Sequence, residues 1–387
     1  LPADSYIPTP ASALPGMDSA LERVSLALRR RERICIWGDF DVDGQTATAI
    51  LVETLRSLGA DVTYYIPVRA RESHGVHIPR LKEIIDYGAQ LVITCDTGIT
   101  AHEAVKYAAS RGVDVVITDH HDLPDSEVSR LRNAENQRLA PCRDNKTLES
   151  SLPPAVAVTN PKLLLPDHPL ANLPGAGVAY KLAEALLEAN PQSPITNLQL
   201  LDLVALGTVA DLAILRGDAR YLVQKGLDAL RNTERLGLKV MLELAELKPE
   251  NLTESHIGFT LGPRLNALGR LEDANPAVDL LTTQDPIRAR VLATHLEGLN
   301  AQRKLLCDQV TMAAEAQLRA DPSLLAQPVL LLAGKDWPGG VVGIVAARMV
   351  ERYGKPAILM TSGADGLTRG SARSITGLHI TEAIAAQ

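Results

Sequence analysis

Three carboxylates stand two residues apart at Asp39, Asp41 and Asp43, inside Gly38-Asp39-Phe40-Asp41-Val42-Asp43-Gly44. In extended backbone alternate side chains share a face, so these three would crowd together. Like charges so close raise each other's pKa unless a cation sits among them. Clustered carboxylate oxygens suit Mg²⁺ or Mn²⁺. A solvated acidic turn and a calcium loop are the other readings, but a calcium loop needs a closing Glu where Ile50 stands. A second segment, Val92-Ile93-Thr94-Cys95-Asp96-Thr97-Gly98, puts one Asp after an apolar run. Alone it reads better as a helix N-cap than as a ligand. The third, Val115-Val116-Ile117-Thr118-Asp119-His120-His121, adds two imidazoles with an Asp placed to orient them. The fourth, Leu206-Gly207-Thr208-Val209-Ala210-Asp211, carries little by itself. Together these side chains form a mixed nitrogen and oxygen set of the kind that holds two metals about 3.5–4 Å apart for phosphoryl chemistry.

The elements that must position them follow from patterning. Apolar runs at Ile34–Trp37, Val62–Ile66, Leu91–Cys95 and Val113–Thr118 predict strands, alternating with helices over Thr46–Leu58, Leu81–Tyr87 and His102–Arg111. That alternation predicts a parallel sheet with right-handed crossovers, and ligands gather at the carboxyl ends of such strands. Residues Asn133–Pro154 are polar and aperiodic and read as an excursion or loop. Helices are expected over Val178–Ala189 and Leu198–Leu206, and through a helix-rich stretch to Leu247. A long helix spans Pro286–Leu318, and a second α/β unit follows from Val329, with a helix at Val341–Tyr353, a strand at Ala357–Met360 and a helix starting near His379. No internal repeat or low-complexity tract is seen.

A chain of 387 residues suggests two or three domains. Hydrophobic residues are 46% and aromatics only 3%, so the cores must be aliphatic. No window has the roughly eighteen apolar residues that spanning a bilayer requires, and the Pro-rich start lacks the basic-then-apolar pattern of a signal peptide. The first residue is Leu1, so a fragment is expected. Cys35, Cys95, Cys142 and Cys307 form no CxxC pair, which fits a reducing cytoplasm. Net charge is −7. That does not advertise a nucleic-acid binder, though an Asp-rich metal pocket supplies negative charge that bound ions offset.

In order, the four segments resemble the DHH phosphoesterase superfamily, and within it the RecJ single-stranded-DNA exonuclease family. The resemblance runs from about Arg33 to the end of the chain. It also rests on Leu173-Pro174-Gly175-Ala176-Gly177-Val178-Ala179, Gly262-Pro263-Arg264-Leu265-Asn266-Ala267-Leu268-Gly269-Arg270, Gly339-Gly340-Val341-Val342-Gly343-Ile344-Val345-Ala346 and Gly370-Ser371-Ala372-Arg373-Ser374. The resemblance implies an α/β fold: a parallel-sheet DHH domain with an N-terminal extension and helical insert (1–283), a connecting long helix (284–320) and a smaller, truncated DHHA1-type domain (321–387). It implies two Mn²⁺ or Mg²⁺ ions held by Asp41, Asp43, Asp96, His120 and Asp211, with Asp96 bridging and Asp39 completing the shell. His121 would contact the scissile phosphate and Asp119 would support the histidines. Arg264 and Arg270 would grip the DNA backbone, and Ser371 and Arg373 the 5′-terminal phosphate, so cutting starts at that end.

The implied activity is 5′→3′ hydrolysis of single-stranded DNA in repair and recombination, by a cytoplasmic monomer with no membrane contact. The implied partners are a single-strand binding protein and a helicase. Three positions depart from the family pattern. Trp37 stands where relatives carry a His, and indole cannot ligate a metal. Ser73-His74-Gly75 replaces Gly-Tyr-Gly, so His74 takes a stacking or phosphate role. Pro338 follows Trp337 where a His is expected. Without the resemblance, Arg264 and Arg270 read equally as surface ion-pairing residues. Ser371 and Arg373 beside Gly370 read as a plain turn or as a small-residue loop suited to phosphate. Gly175 and Gly177 read as turn and packing residues, and Arg29–Arg33 as a solvated helix end. The alternatives are an oligoribonuclease or cyclic-dinucleotide phosphodiesterase, an inorganic pyrophosphatase, and a non-catalytic DNA-binding relative. The last should have lost metal ligands that this chain keeps.

Overall fold

The computed structural model describes residues 3–123, 152–363 and 366–386. Cys142 and most of the polar excursion expected at 133–154 lie outside them. The chain divides into two compact units, Leu1–His295 and Leu296–Gln387.

The first unit is built on a five-stranded sheet of β1 (Ile34–Trp37), β2 (Val62–Tyr65), β3 (Leu91–Cys95), β4 (Asp114–Thr118) and β5 (Ala157–Thr159), in the order β2-β1-β3-β4-β5. Every neighbouring pair is parallel. Its helices are α1 (Met17–Arg30), α2 (Val42–Ser57), α3 (Arg69–Glu72), α4 (Ile78–Asp86) and α5 (His102–Ser110), then α6 (Gly175–Ala189), α7 (Leu201–Ala210), α8 (Gly217–Arg231), α9 (Leu236–Leu244), α10 (Gly262–Leu271) and α11 (Asn275–Thr282). Helix α12 (Pro286–Ala320) follows, and the division between the units falls inside it.

The inner strands β1, β3 and β4 are apolar on both faces because both are covered. Cys35, Trp37, Val92, Val115 and Ile117 pack with Leu81 and Ile85 of α4 and Val105 and Ala108 of α5. Their alternates Ile34, Ile36, Ile93 and Val116 are equally buried on the opposite face. Each such aliphatic side chain contributes about 1.5–3 kcal/mol by leaving water. Helix α2 packs on α6 and α7, so three helices meet behind the carboxyl end of β1.

The second unit holds β6 (Leu330–Gly334), helix α13 (Gly339–Tyr353), β7 (Ala357–Ser362), β8 (Thr368–Arg373) and the short α14 (Ile380–Ala385). Strand β6 runs parallel to β7, and β8 antiparallel to it. The reading of residues 370–373 as a turn or loop is thereby corrected, since they belong to β8. Gly370 sits opposite Met360, and a Cβ there would lie 2.7 Å from the Leu359 carbonyl oxygen. Glycine permits the close strand approach that the turn reading assigned to a bend. No helix among the described residues is long and apolar enough to cross a membrane.

Candidate metal centre

Strands β1, β3 and β4 are neighbours in the sheet, and each delivers its chemistry at its carboxyl end. After β1 the backbone does not stay extended, which corrects the expectation that Asp39, Asp41 and Asp43 alternate on one face. Asp41 is the N-cap of α2, its carboxylate accepting from the Gly44 amide at 3.0 Å. Asp43 already lies in the first helical turn, so the helix starts at Val42 rather than Thr46. An Asp with free backbone amides ahead of it is a preferred cap, and that preference wins over extension. The three carboxylates consequently separate into two groups.

Asp39, Asp41 and Asp96 form one group, and Asp43, His120 and Asp211 another. In each, one donor atom per residue lies within 4.8 Å of the others. A third set, Asp96, His120 and His121, meets the same limit and joins the two. His120 Nε2 stands 2.9 Å from Asp96 Oδ1 and 3.6 Å from Asp43 Oδ2, and its Nδ1 is 3.9 Å from Asp211 Oδ2. Asp96 follows β3 with φ +59°, a left-handed conformation that costs a non-glycine residue on the order of 1–3 kcal/mol. Its amide donates to the Thr118 carbonyl at 2.9 Å, and the next helix, α5, has Ala101 as its N-cap, so the N-cap reading of Asp96 does not hold. Asp211 is the C-cap of α7.

Second contacts fix these groups. Gly175 and Ala176, the first amides of α6, donate to Asp43 at 2.6 and 2.9 Å. A Cβ on Gly175 would come within 2.6 Å of Asp96, so glycine is what lets the helix start approach both carboxylates. Asp119 is buried and accepts from the amides of Ile99 (2.8 Å), His120 (2.7 Å) and His121 (3.1 Å). It also meets His121 Nδ1 at 2.8 Å. Asn160, fully buried after β5, donates to the His121 carbonyl at 3.0 Å. Gln45 donates to the Phe40 carbonyl at 2.7 Å and reaches the Leu265 carbonyl at 3.3 Å, tying the loop after β1 to α10.

The electrostatics are those of a cation site. Burial, with the charge of Asp41, pushes Asp39 up to about 7. Burial, again with Asp41, raises Asp211 to about 6. Asp43 and Asp96 are held well above the carboxylate range, chiefly by burial and then by neighbouring aspartates. His120 falls to about 4 through burial and the charge of His121, leaving a neutral ring able to ligate. His121 rises to about 9 through its hydrogen bond to Asp119. Burial opposes ionisation of Asp119, but the hydrogen bond and charge of His121 outweigh it and lower its pKa. Asp39 Oδ1 is buried with no hydrogen-bond partner among the described residues. Asp96 Oδ1 is likewise unmatched, close to His120 Nε2 but not aligned for a hydrogen bond. Orphaned oxygens converging with an imidazole nitrogen fit a divalent ion of the Mn²⁺ or Mg²⁺ class.

The remaining sequence-predicted residues are dispersed. Arg264 and Arg270 lie on α10, where Arg264 donates to the Thr260 carbonyl at 2.9 Å and Arg270 lines a cavity of about 420 Å³ with Val68, Arg71 and Glu272. A Cβ on Gly269 would run into Phe40, so α10 is seated on the loop that carries Asp39 and Asp41. His74 is exposed, its ring 3.2 Å from the Ser73 hydroxyl. Trp37 is fully buried, and its indole donates to the Gly75 carbonyl at 3.2 Å. It therefore packs the core and anchors the loop of His74 rather than facing the carboxylates. In the second unit, Arg373 donates to Ser371 Oγ at 3.0 Å, and both lie against Gly343 in α13.

Sequence reasoning missed Asn160, Gln45 and Lys162, whose charge helps lower His120. Only the position of Gln45 beside the carboxylate loop could have suggested it. It missed Arg69 too, whose guanidinium lies 4.9 Å from the Phe40 ring centroid.

Comparison with known proteins places this geometry. Residues 33–208 match the DHH family, N-terminal domain. The single-stranded-DNA-specific exonuclease RecJ of Bacillus subtilis is 38% identical over 99% of this chain, and that of Salmonella typhimurium 37% over 97%. A crystal structure of exonuclease RecJ bound to manganese superposes with a TM-score of 0.75 and 33% identity, covering 96% of this chain and 85% of that one. This chain belongs to the RecJ family. The fold of the family, a parallel α/β DHH domain followed by a smaller α/β unit, is the fold expected from the sequence. The chain spans 44% of the length of the Bacillus RecJ and 63% of the Salmonella one.

Proposed function

We propose that this chain is the core of a metal-dependent exonuclease that hydrolyses single-stranded DNA from its 5′ end. The observation that carries the proposal is the convergence of Asp39, Asp41, Asp43, Asp96, His120 and Asp211 from four separate stretches into two adjoining ligand sets with orphaned oxygens. The relatives' names support the substrate: they are single-stranded-DNA-specific exonucleases.

In this reading Asp39, Asp41 and Asp96 would hold one ion and Asp43, His120 and Asp211 the other, with Asp96 shared by a third set with His120 and His121. When bound, two Mn²⁺ or Mg²⁺ ions supply a Lewis-acidic clamp on the scissile phosphate and lower the pKa of water. The protein's own groups do the rest. Asp119 fixes His121 through Nδ1, which leaves Nε2 for a phosphate oxygen. Arg264 and Arg270 neutralise and orient the backbone. Ser371 and Arg373 bind the phosphate of the 5′ end, and His74 takes a separate stacking or phosphate role. Residues 1–283 act as the metal-holding domain and 321–387 as the strand-end domain, linked through 284–320. A single-strand binding protein and a helicase supply the strand, and the protein works as a cytoplasmic monomer in repair and recombination.

Digestion of a single strand labelled at either end, in Mn²⁺, tests the proposal. The 5′ label is expected to leave first and EDTA to stop release. First release of the 3′ label overturns the polarity, and degradation confined to dinucleotides favours a small-nucleotide phosphodiesterase.

A further inference from the structure

We propose that unit 1 carries a second nucleotide-binding site beyond the metal centre, formed by Arg216, Arg220, Tyr221 and Tyr6, that holds the phosphate and base of a single strand. This inference rests on the exonuclease reading for the identity of the strand. A cavity of about 280 Å³ is lined by Tyr6, Leu215, Arg216, Arg220, Tyr221 and Gln224. Neither guanidinium has a side-chain partner among the described residues, whereas Asp218, Asp4 and Asp228 are each engaged elsewhere. Asp218 is fully buried and accepts from Tyr6 Oη, the Thr9 amide and Thr9 Oγ1, each at 2.8 Å. Asp4 is paired with Lys225, and Asp228 with Arg231 at 2.8 Å. Two exposed arginines are therefore left without a side-chain counter-charge bonded to them among the described residues, on a chain whose net charge is −7.

The aromatic part is built, not incidental. Tyr6 and Tyr221 stack with centroids 5.4 Å apart and planes inclined at 33°. Tyr6 is held by the buried Asp218, and its segment by Lys181, which is itself buried and donates to the Thr9 carbonyl at 2.8 Å. A fixed aromatic face beside unpaired arginines is the arrangement on which single-stranded nucleic acids stack and neutralise, at about 1–3 kcal/mol per stacked base.

The path from the metal centre is short and apolar. Arg216 follows Asp211 by five residues, so their Cα atoms are at most about 18 Å apart. Between them Leu212, Ile214 and Leu215 are 86%, 61% and 39% exposed. Leu212 holds φ +59°, a strained conformation for a branched side chain. An exposed apolar stretch leading from a phosphate-cleaving centre to paired arginines suits bases above and phosphates at the far end.

The test is fluorescence anisotropy of a labelled single-stranded oligonucleotide in EDTA, which needs no turnover, with digestion of the same strand in Mn²⁺ run alongside. The double variant Arg216→Gln/Arg220→Gln is expected to weaken binding roughly tenfold. Its salt slope should fall by about 1.4, at roughly 0.7 per phosphate contact on a single strand. The double variant Arg29→Gln/Arg31→Gln, which removes the same charge from exposed positions on α1 and its cap, should stay within twofold. Tyr221→Ala should weaken binding, and Tyr221→Phe, which keeps the ring, should not. A mononucleotide competing as well as the oligomer would assign the site to released product rather than to the strand and would overturn the proposal, as would equal losses in both arginine pairs. Failure of the wild type to digest the strand, with anisotropy as expected, would count against the exonuclease reading alone.

Discussion

At the scale of single residues, the centre depends on Asp119, which belongs to no ligand set itself yet receives four hydrogen-bonding groups, three of them amides. An outer carboxylate that orients histidines typically matters 10–100-fold in metal affinity or activity. Asp119→Asn keeps the shape and removes the charge that holds His121, so activity should fall by about that factor, and the Mn²⁺ concentration for half-maximal rate should rise. Equal Mn²⁺ dependence in both proteins would relieve Asp119 of this positioning role. The histidine pair and the four aspartate segments were legible in the sequence because each is flanked by a buried strand or a small-residue run. Asn160 and Gln45 were not, since a lone amide side chain carries no period or charge pattern, and only folding shows which carbonyl it reaches. Trp37 was legible as a non-ligand but not as the residue that pins Gly75.

Elements decide whether those residues meet. Helices α2, α6 and α7 touch at Gly207, where a Cβ would sit 2.5 Å from Thr46 Oγ1, 2.6 Å from Ala176 Cβ and 2.7 Å from Asp43 Oδ1. Alanine normally stabilises a helix over glycine by about 0.8–1 kcal/mol. Forcing a methyl into a closed contact costs about 1–3 kcal/mol, so the clash should win. Gly207→Ala is expected to lower stability in urea melts and displace Asp43. Gly298→Ala, at an exposed position of α12 with nothing within 4 Å, should raise stability instead. Opposite signs support the packing account, and equal effects would refute it. The inner strands and main helices were readable from periodicity, whereas the start of α2 and the existence of β8 were not. A cap at Asp41 and a glycine opposite Met360 changed the local outcome, and both depend on partners distant from the pattern itself.

For the whole molecule, the unbalanced carboxylates make stability and metal linked quantities. Burying Asp39, Asp43, Asp96 and Asp211 together raises all four pKa values, which is a cost carried by the metal-free fold. An ion that binds only the folded state stabilises it by about 2.7 kcal/mol at a hundred times its Kd. Mn²⁺ should therefore raise the melting temperature and EDTA reverse it, with no such shift for Ca²⁺-free Na⁺ at equal ionic strength. An unchanged melting temperature across a Mn²⁺ titration would leave the carboxylate array without its counter-charge. The electrostatic account would then fail even though the fold stands.

The most direct measurement is the number of Mn²⁺ ions bound per chain, read from the loss of free-ion signal in electron paramagnetic resonance. Two ions per chain are predicted for the wild type, and Asp96→Ala, which removes the carboxylate lying between both sets, should lose at least one. A wild-type chain that binds none, or an Asp96→Ala variant that still binds two with unaltered affinity, would contradict the paired centre.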